Sequence, residues 1–539
     1  MNYDKLISEI NGFGRFQIAL ILIQFFSRIT MPCHFLLNNF MAATPAHHCD
    51  INLLENYTEF LNLTLDQKEA AAIPTELDGS RSSCRMFSKP QFHISHNSSS
   101  NAPTAACQNG WVYDNSTFES TLVTEWDLVC DKKAMNKATA TLFFIGVMCG
   151  APLFGFLSDR FGRRPLLLVS YLSSMTFAVL SAFSSSYVMF VIMRFFTGMC
   201  LAGISIISIV LNVEWCSIER RTFSAIICSL DWTIGNWILV AIAYCVNEWR
   251  PLILAVTSPL ILSVIAWRWL PESARWLVAN GRVDEAHHYI MQCAKMNDRL
   301  KNVASITPMM LVESVEVQRG DRTYTTVDLF RTTNIRRLAI CSGIVWFGVA
   351  FTYYGISLNI SGFGLNIYLT QFLFASIEMP MKVGIYFLLE KVGRRSSEAG
   401  ALLLTGLCLL INMFVTKDYG AIRTSVAVIG KALSEASFTI IFLYTTELYP
   451  TVVRQNGVGY TSFIARLGVS VSPLVMLLED VWHLLPSLIY CAGAVGSGLV
   501  TLLLRETHNT PLPQFIEDIE KPRSDSGSPR RNTQEPQVL

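Results

Sequence analysis

Apolar residues in this chain gather into long runs separated by shorter polar connections. A run of roughly 20 residues is enough to cross a bilayer as a helix. Twelve such runs stand at 17–40, 136–158, 166–186, 188–210, 223–244, 249–270, 337–358, 365–389, 396–415, 421–446, 455–478 and 482–504. Six precede a polar stretch at 271–336 and six follow it. The pattern predicts an all-α membrane protein of twelve transmembrane helices in two six-helix halves, 17–270 and 337–504. Residues 1–16 and the central loop 271–336 are expected in the cytoplasm, with a short amphipathic helix from Gly281 to about Met296. The tail, 505–539, is rich in Pro, Ser and Arg and reads as disordered and cytoplasmic.

The connections set the orientation. Those carrying Arg160, Arg163 and Arg164, then Arg220 and Arg221, then Lys391, Arg394 and Arg395 alternate with connections poor in Lys and Arg, such as Ser184-Ser185-Ser186, Asn359-Ile360-Ser361-Gly362 and Glu479-Asp480. The positive-inside rule then places both termini in the cytoplasm. The first apolar run is too long for a secretory signal and lacks a clear cleavage site. Residues 43–135 fall outside, and two features there agree. Asn56, Asn62, Asn97 and Asn115 lie in glycosylation sequons, and Cys49, Cys84, Cys107 and Cys130 suit two disulfides, with three pairings open.

Composition narrows the class. The chain is 51% hydrophobic and 15% charged, against about 25% charged in soluble domains. A net charge of +1 gives no reason to expect a nucleic-acid partner. No Ser/His/Asp set or phosphate loop points to an enzyme, and no cofactor is expected. His47-His48-Cys49 offers one thiol, itself expected in a disulfide, so no metal site is expected.

One short string occurs twice: Asp159-Arg160-Phe161-Gly162-Arg163-Arg164 and Glu390-Lys391-Val392-Gly393-Arg394-Arg395. Each joins two apolar runs, as expected of a duplicated multi-span unit. These paired turns resemble the signature of the major facilitator superfamily. Thr124-Glu125-Trp126-Asp127-Leu128-Val129-Cys130, Leu270-Pro271-Glu272-Ser273-Ala274-Arg275-Trp276-Leu277, and Glu447-Leu448-Tyr449-Pro450-Thr451 with Arg454-Gln455 resemble solute carrier family 22. Tyr353-Tyr354-Gly355, Ser361-Gly362-Phe363-Gly364 and Lys431 through Phe438 resemble its organic anion transporter subgroup, of the organic anion transporter 2 type. The resemblance implies polyspecific carriage of organic ions at the plasma membrane by alternating access, without ATP. The apical or basolateral face stays open. Prostaglandins, steroid sulfates, urate and dicarboxylates are the substrates it implies, with an intracellular anion in exchange or no coupling; no sodium site is evident.

Ionisable residues within spans face a cavity or a partner. In the eighth span Gln371, Ala375, Glu378 and Lys382 share a face; either Glu378 neutralises Lys382 four residues on, or Lys382 meets an anion. The resemblance implies a functional cation at Lys382. In the eleventh, Ser462, Arg466 and Ser470 share a face with no acid within a turn. Arg466 therefore needs an acid from another helix or a substrate carboxylate or sulfate. In the tenth, Lys431 and Glu435 read as an internal ion pair beside Phe438 and Phe442, which resemble substrate-contacting aromatics. Trp346, Tyr353 and Tyr354 in the seventh span, with Trp232 in the fifth, complete an aromatic wall or serve as packing. Asp231 pairs with Arg466 or Lys382, or joins a proton-coupled step. Arg28 makes the first span polar and His34 reads as a packed histidine; Asn38 and Asn39 resemble cavity-facing amides. Asp159, Arg163, Arg164, Arg394 and Arg395, with Glu214, Glu219 and Glu447 as partners, form networks suited to gating rather than binding. Two rivals share the fold or the membrane: a cation or zwitterion carrier using Glu378, Glu435 and Asp231, and a non-transporting receptor.

Replacing Asn56, Asn62, Asn97 and Asn115 together by Gln is expected to abolish the endoglycosidase-sensitive gel shift of protein made in mammalian cells; a persisting shift would place a glycan elsewhere.

Overall fold

The computed structural model describes residues 3–52, 63–76, 80–91, 103–217, 220–303, 307–311, 325–359, 366–416, 419–450, 452–508, 510, 513 and 516–520. Twelve helices follow the apolar runs: α1 (Arg15–Leu36), α2 (Lys133–Phe161), α3 (Arg163–Ala182), α4 (Tyr187–Glu214), α5 (Arg221–Cys245), α6 (Trp249–Trp269), α7 (Thr333–Ser357), α8 (Ile367–Val392), α9 (Arg394–Phe414), α10 (Gly420–Leu448), α11 (Arg454–Val475) and α12 (Leu485–Thr501). Ten are long and apolar enough to cross a membrane; α5 and the shorter α12 take the fifth and twelfth places. α6 breaks at Ser258, where Pro259 removes a backbone donor.

The duplicated turn is built twice in the same way. α2 passes into α3 through Gly162 at φ +99°, and α8 into α9 through Gly393 at φ +88°. Both angles lie where a side chain is strained. A carboxylate also closes over each glycine. Glu272, beyond α6, accepts the N–H of Arg163 and Arg164 at 3.0 and 3.1 Å. Glu506, beyond α12, accepts the N–H of Arg394 and Arg395 at 2.9 and 3.1 Å. A Cβ on Gly162 would stand 2.7 Å from the Glu272 carboxylate, and one on Gly393 2.9 Å from that of Glu506. An anion at a helix start satisfies orphan donors and meets the positive end of the helix dipole. Burial pushes the Glu272 carboxyl up, against the pull of the Ser273, Arg164 and Arg163 N–H groups. Burial also pushes Glu506 up, but the N–H groups of Arg394, His508, Thr507 and Arg395 prevail and hold it below its ordinary value.

Each first arginine repeats its contacts as well. Arg163 reaches Glu214 at the end of α4 at 3.0 Å, Asp159 at 2.9 Å and the Ser158 carbonyl at 3.1 Å. Arg394 reaches Glu447 at the end of α10 at 3.1 Å and the Leu389 carbonyl at 3.1 Å. These pairs run within a half, tying the turn to the fourth and sixth helices of its own unit. Arg164 stacks its guanidinium over Trp267 and hydrogen-bonds Tyr289 of the amphipathic helix Val283–Met296. Glu219 lies outside the described residues.

Part of the tail expected to be disordered is docked. The Glu520 carboxylate accepts the Thr332 hydroxyl at 2.6 Å and the N–H groups of Asn334 and Ile335 at 2.9 and 3.2 Å, capping α7.

The segment between α1 and α2 forms two small antiparallel sheets: β1 (His47–Cys49) with β4 (Trp111–Tyr113), and β2 (Arg85–Phe87) with β3 (Thr104–Ala106). Of the three open pairings, the structure has Cys49–Cys107 and Cys84–Cys130. His47 lies near the Cys84 and Cys130 sulfurs, but those sulfurs are bonded to each other and are not free ligands. Glu125 fastens the segment to α6, accepting from Trp249 Nε1 at 2.7 Å and pairing with Arg250. Asn115 is exposed just beyond β4, while Asn56, Asn62 and Asn97 lie outside the described residues.

Non-reducing peptide mapping is expected to recover Cys49–Cys107 and Cys84–Cys130. Losing either bridge costs about 2–5 kcal/mol, so Cys84→Ser is expected to lower surface abundance sharply; any other pairing in the map contradicts the assignment.

Candidate functional site

At mid-membrane, α8 and α10 present their charged stripes to each other. Glu378 stands eleven residues after Ile367, where α8 begins, and Lys431 eleven residues after Gly420, where α10 begins. The two helices run in the same direction, so Glu378 is level with Lys431 and Lys382 with Glu435. The ion pairs therefore cross between helices. Lys431 Nζ lies 3.0 Å from Glu378, and Lys382 Nζ lies 3.4 Å from Glu435. This corrects the pairings expected within each helix, Glu378 with Lys382 and Lys431 with Glu435. A buried pair is favourable only with good geometry and added hydrogen bonds, and the crossed arrangement supplies them. Tyr353 donates to Glu378 at 2.8 Å, Lys431 donates to Ser357 Oγ at 2.8 Å, and the Lys431 ammonium sits over the Tyr353 ring. Lys382 also points at the Ser229 carbonyl of α5 at 3.4 Å.

Aromatic rings surround this quartet. Trp232 Nε1 donates to the Tyr353 hydroxyl at 3.2 Å. Tyr353 packs on Tyr354 and Phe438 with centroids 5.1 and 5.3 Å apart, and Trp346 packs on Phe438 and Phe442 at 5.7 and 6.4 Å. Trp346 Nε1 is held by Thr445 Oγ1 at 2.7 Å. Tyr354 meets Phe144 of α2, and Phe35 of α1 meets Trp232, so both halves contribute rings. Phe442 is 53% exposed, at the end of the stripe nearest the Arg-bearing turns.

Arg466 is the exception to the pairing. Its guanidinium donates to the hydroxyl and carbonyl of Ser462, at 2.5 and 3.3 Å, one turn back on α11. No carboxylate among the described residues lies within ion-pair distance of it, and its Nε has no partner. The expected alternatives for Asp231 give way to another: it pairs with Arg28 of α1. Arg28 is thus neutralised inside the first half; Arg194, 1% exposed, has no carboxylate among the described residues and is sealed in the core, donating to the ring and carbonyl of His34.

Asn39 departs from the cavity-facing expectation. Its amide donates to the Ser357 carbonyl at 2.8 Å and Gln371 Oε1 at 3.3 Å. With Phe40 stacked on Tyr368 and Lys133 paired with Asp480, it joins the halves on the face that bears the disulfide segment, while Trp237 bonded to Ser376 joins them deeper, near the level of Glu378. Asn38, next to it, has a buried carbonyl oxygen without a partner.

The fold and sequence have relatives. The family described as "Sugar (and other) transporter" matches residues 86–509. The xylose transporter XylE of E. coli in its inward open conformation aligns with a TM-score of 0.61, covering 94% of this chain and 99% of its own, at 15% identity. Solute carrier family 22 member 7 of Rattus norvegicus is 43% identical over the whole of both chains. Member 6 of Danio rerio is 38% identical over 99% of this chain and 96% of its own. This chain belongs to solute carrier family 22. It is a multi-pass membrane transporter of the major facilitator fold.

In this family member, three functional-site features escaped sequence reading. Glu272 and Glu506 lie in a second repeated string, Leu270-Pro271-Glu272-Ser273 and Leu504-Arg505-Glu506-Thr507, which closes each half and was legible as a repeat. Arg194 lies in an apolar run and had no sequence signal beyond being a charge in a span.

The crossed pairing has a direct test. Removing one partner of a buried pair costs about 3–5 kcal/mol, so Lys431→Ala is expected to lower surface abundance, and adding Glu378→Gln to restore most of it. Lys431→Ala with Glu435→Gln is expected to rescue less. Equal rescue by both would contradict the crossed pairs.

Proposed function

We propose that this protein is a sodium-independent secondary transporter of amphipathic organic anions across the plasma membrane. The observation that carries this reading is Arg466: a guanidinium inside the membrane, beside an aromatic wall, with no carboxylate among the described residues to neutralise it. An incoming carboxylate or sulfate completes it with charge-assisted hydrogen bonds. Trp346, Tyr353, Tyr354, Phe438, Phe442 and Trp232 then bury the flat body of the substrate. Prostaglandins, steroid sulfates and urate fit that description, moving in exchange for an intracellular anion or uncoupled. The relationship to solute carrier family 22 members 7 and 6 supports organic anion transport in general.

The positive connections place the Arg-bearing turns in the cytoplasm. The contacts between halves at Asn39, Phe40 and Lys133 then close the outer side, as in an inward-facing carrier. Asp159, Arg163, Arg164 and Glu214 stiffen one half, and Arg394, Arg395 and Glu447 the other, so the halves rock as units. A cation or zwitterion carrier needs a free acid; Glu378, Glu435 and Asp231 are each held by a cation, which counts against it.

Uptake of labelled prostaglandin, beside a labelled organic cation, tests the reading in cells expressing wild type or Arg466→Ala. The variant is expected to lose about 1.5–3 kcal/mol of binding, or over tenfold in apparent affinity, at equal surface abundance. Entry of the cation alone would overturn the anion reading.

A further inference from the structure

The charges around the site are unequal in a way that sets what they attract. Midway along α8, α10 and α11, away from the helix ends that carry Lys391, Arg423 and Arg454, stand Lys382, Lys431 and Arg466. Two acids, Glu378 and Glu435, face them, and each is spent on a different lysine. The Lys431–Glu378 pair is nearly sealed, with side chains 2% exposed, and Tyr353 and Ser357 take the remaining hydrogen bonds. The Lys382–Glu435 pair is little more open at 9%. From the first half, Asp231 neutralises Arg28, and Arg194 is enclosed by His34 and the Phe143 ring. Of Lys382, Lys431 and Arg466, Arg466 is the one with no carboxylate among the described residues, and Arg194, which also lacks one, is sealed away from a ligand.

We infer that the site selects organic anions bearing one negative charge over anions of the same shape bearing two, and that Glu435 enforces the choice by occupying Lys382. This rests on the anion-carrier reading above. The first charge of a ligand meets Arg466. A second has no cation to meet. Taking Lys382 from Glu435 would strand the Glu435 carboxylate in a dry site, and breaking a buried pair costs more than exchanging one anion for another returns. Left in place, Glu435 and Glu378 repel the second charge at close range in a medium that screens poorly. Specificity here comes from internal counter-charges, which exclude the wrong ligand rather than embrace the right one. Dicarboxylates, expected as substrates from the family resemblance, fall on the disfavoured side.

The experiment compares naphthalene-2-sulfonate with naphthalene-2,6-disulfonate, which share a flat aromatic body and stay ionised at any working pH. Uptake of each is measured in cells expressing the full chain, with surface abundance quantified. Wild type is expected to take up the monosulfonate with about tenfold or greater advantage in apparent affinity, the scale of one charge-assisted contact. Glu435→Gln frees Lys382 and is expected to improve the disulfonate by about tenfold, closing the gap. Lys382→Gln with Glu435→Gln is expected to restore the wild-type preference, which a loosened fold would not do. Glu378→Gln asks the same question at Lys431. Should the acid variants fail to reach the surface, the wild-type ratio alone decides. Equal handling of the two sulfonates by wild type, or an unchanged ratio in Glu435→Gln, overturns the inference and leaves the anion-carrier reading standing. Entry of neither sulfonate, together with no effect of Arg466→Ala on prostaglandin, overturns both.

Discussion

A charge inside a bilayer has to be compensated, and here the compensation comes from a neighbouring helix. Lys431 takes Glu378, Lys382 takes Glu435 and Arg28 takes Asp231, each across a helix–helix interface. Lipid tails give apolar helices no strong reason to choose one another. Ion pairs between helices supply that choice: a slip of one residue in α8 against α10 would turn both pairs off their partners. The same pairs draw in Tyr353, Ser357 and Ser229, so one interface orients α5, α7, α8 and α10 about a common centre.

At the membrane surface a second device is used twice. A glycine turns the chain, an arginine ties it to the end of the fourth helix of its half, and a carboxylate from beyond the sixth helix caps the next helix start. Since the contacts repeat in Gly162 and Gly393, Arg163 and Arg394, Glu272 and Glu506, each half is a closed mechanical unit. Contacts between halves are concentrated elsewhere, at mid-membrane and on the face of the disulfide segment. Ties that run within a half leave the two halves free of each other at these turns, as the proposed rocking of the halves requires.

The site inherits its character from these constraints. Its aromatic rings are held by indole and phenol hydrogen bonds rather than by packing alone, as with Trp232 to Tyr353 and Trp346 to Thr445. Its lysines are committed to acids. Arg466 donates to Ser462 and has no carboxylate among the described residues, which is why the proposed function rests on it.

The sequence by itself determined the twelve helices, because crossing a bilayer demands a length and an apolarity that are visible residue by residue. It also determined the duplicated turn, which is a string of letters, and the set of four loop cysteines. Tertiary structure alone decided who pairs with whom. Helical spacing told which residues share a face, such as Glu378 with Lys382 and Lys431 with Glu435, but not what that face meets. Spans read at 365–389 and 421–446 put Glu378 thirteen residues deep and Lys431 ten, and an error of three residues in depth hides the match that the helix starts at Ile367 and Gly420 reveal. The disulfide pairing was left open, and the docking of Glu520 on α7 ran against the expected disorder of the tail, for the same physical reason. Local patterns follow from the few residues that make them, while a contact between distant segments depends on where every helix between them ends.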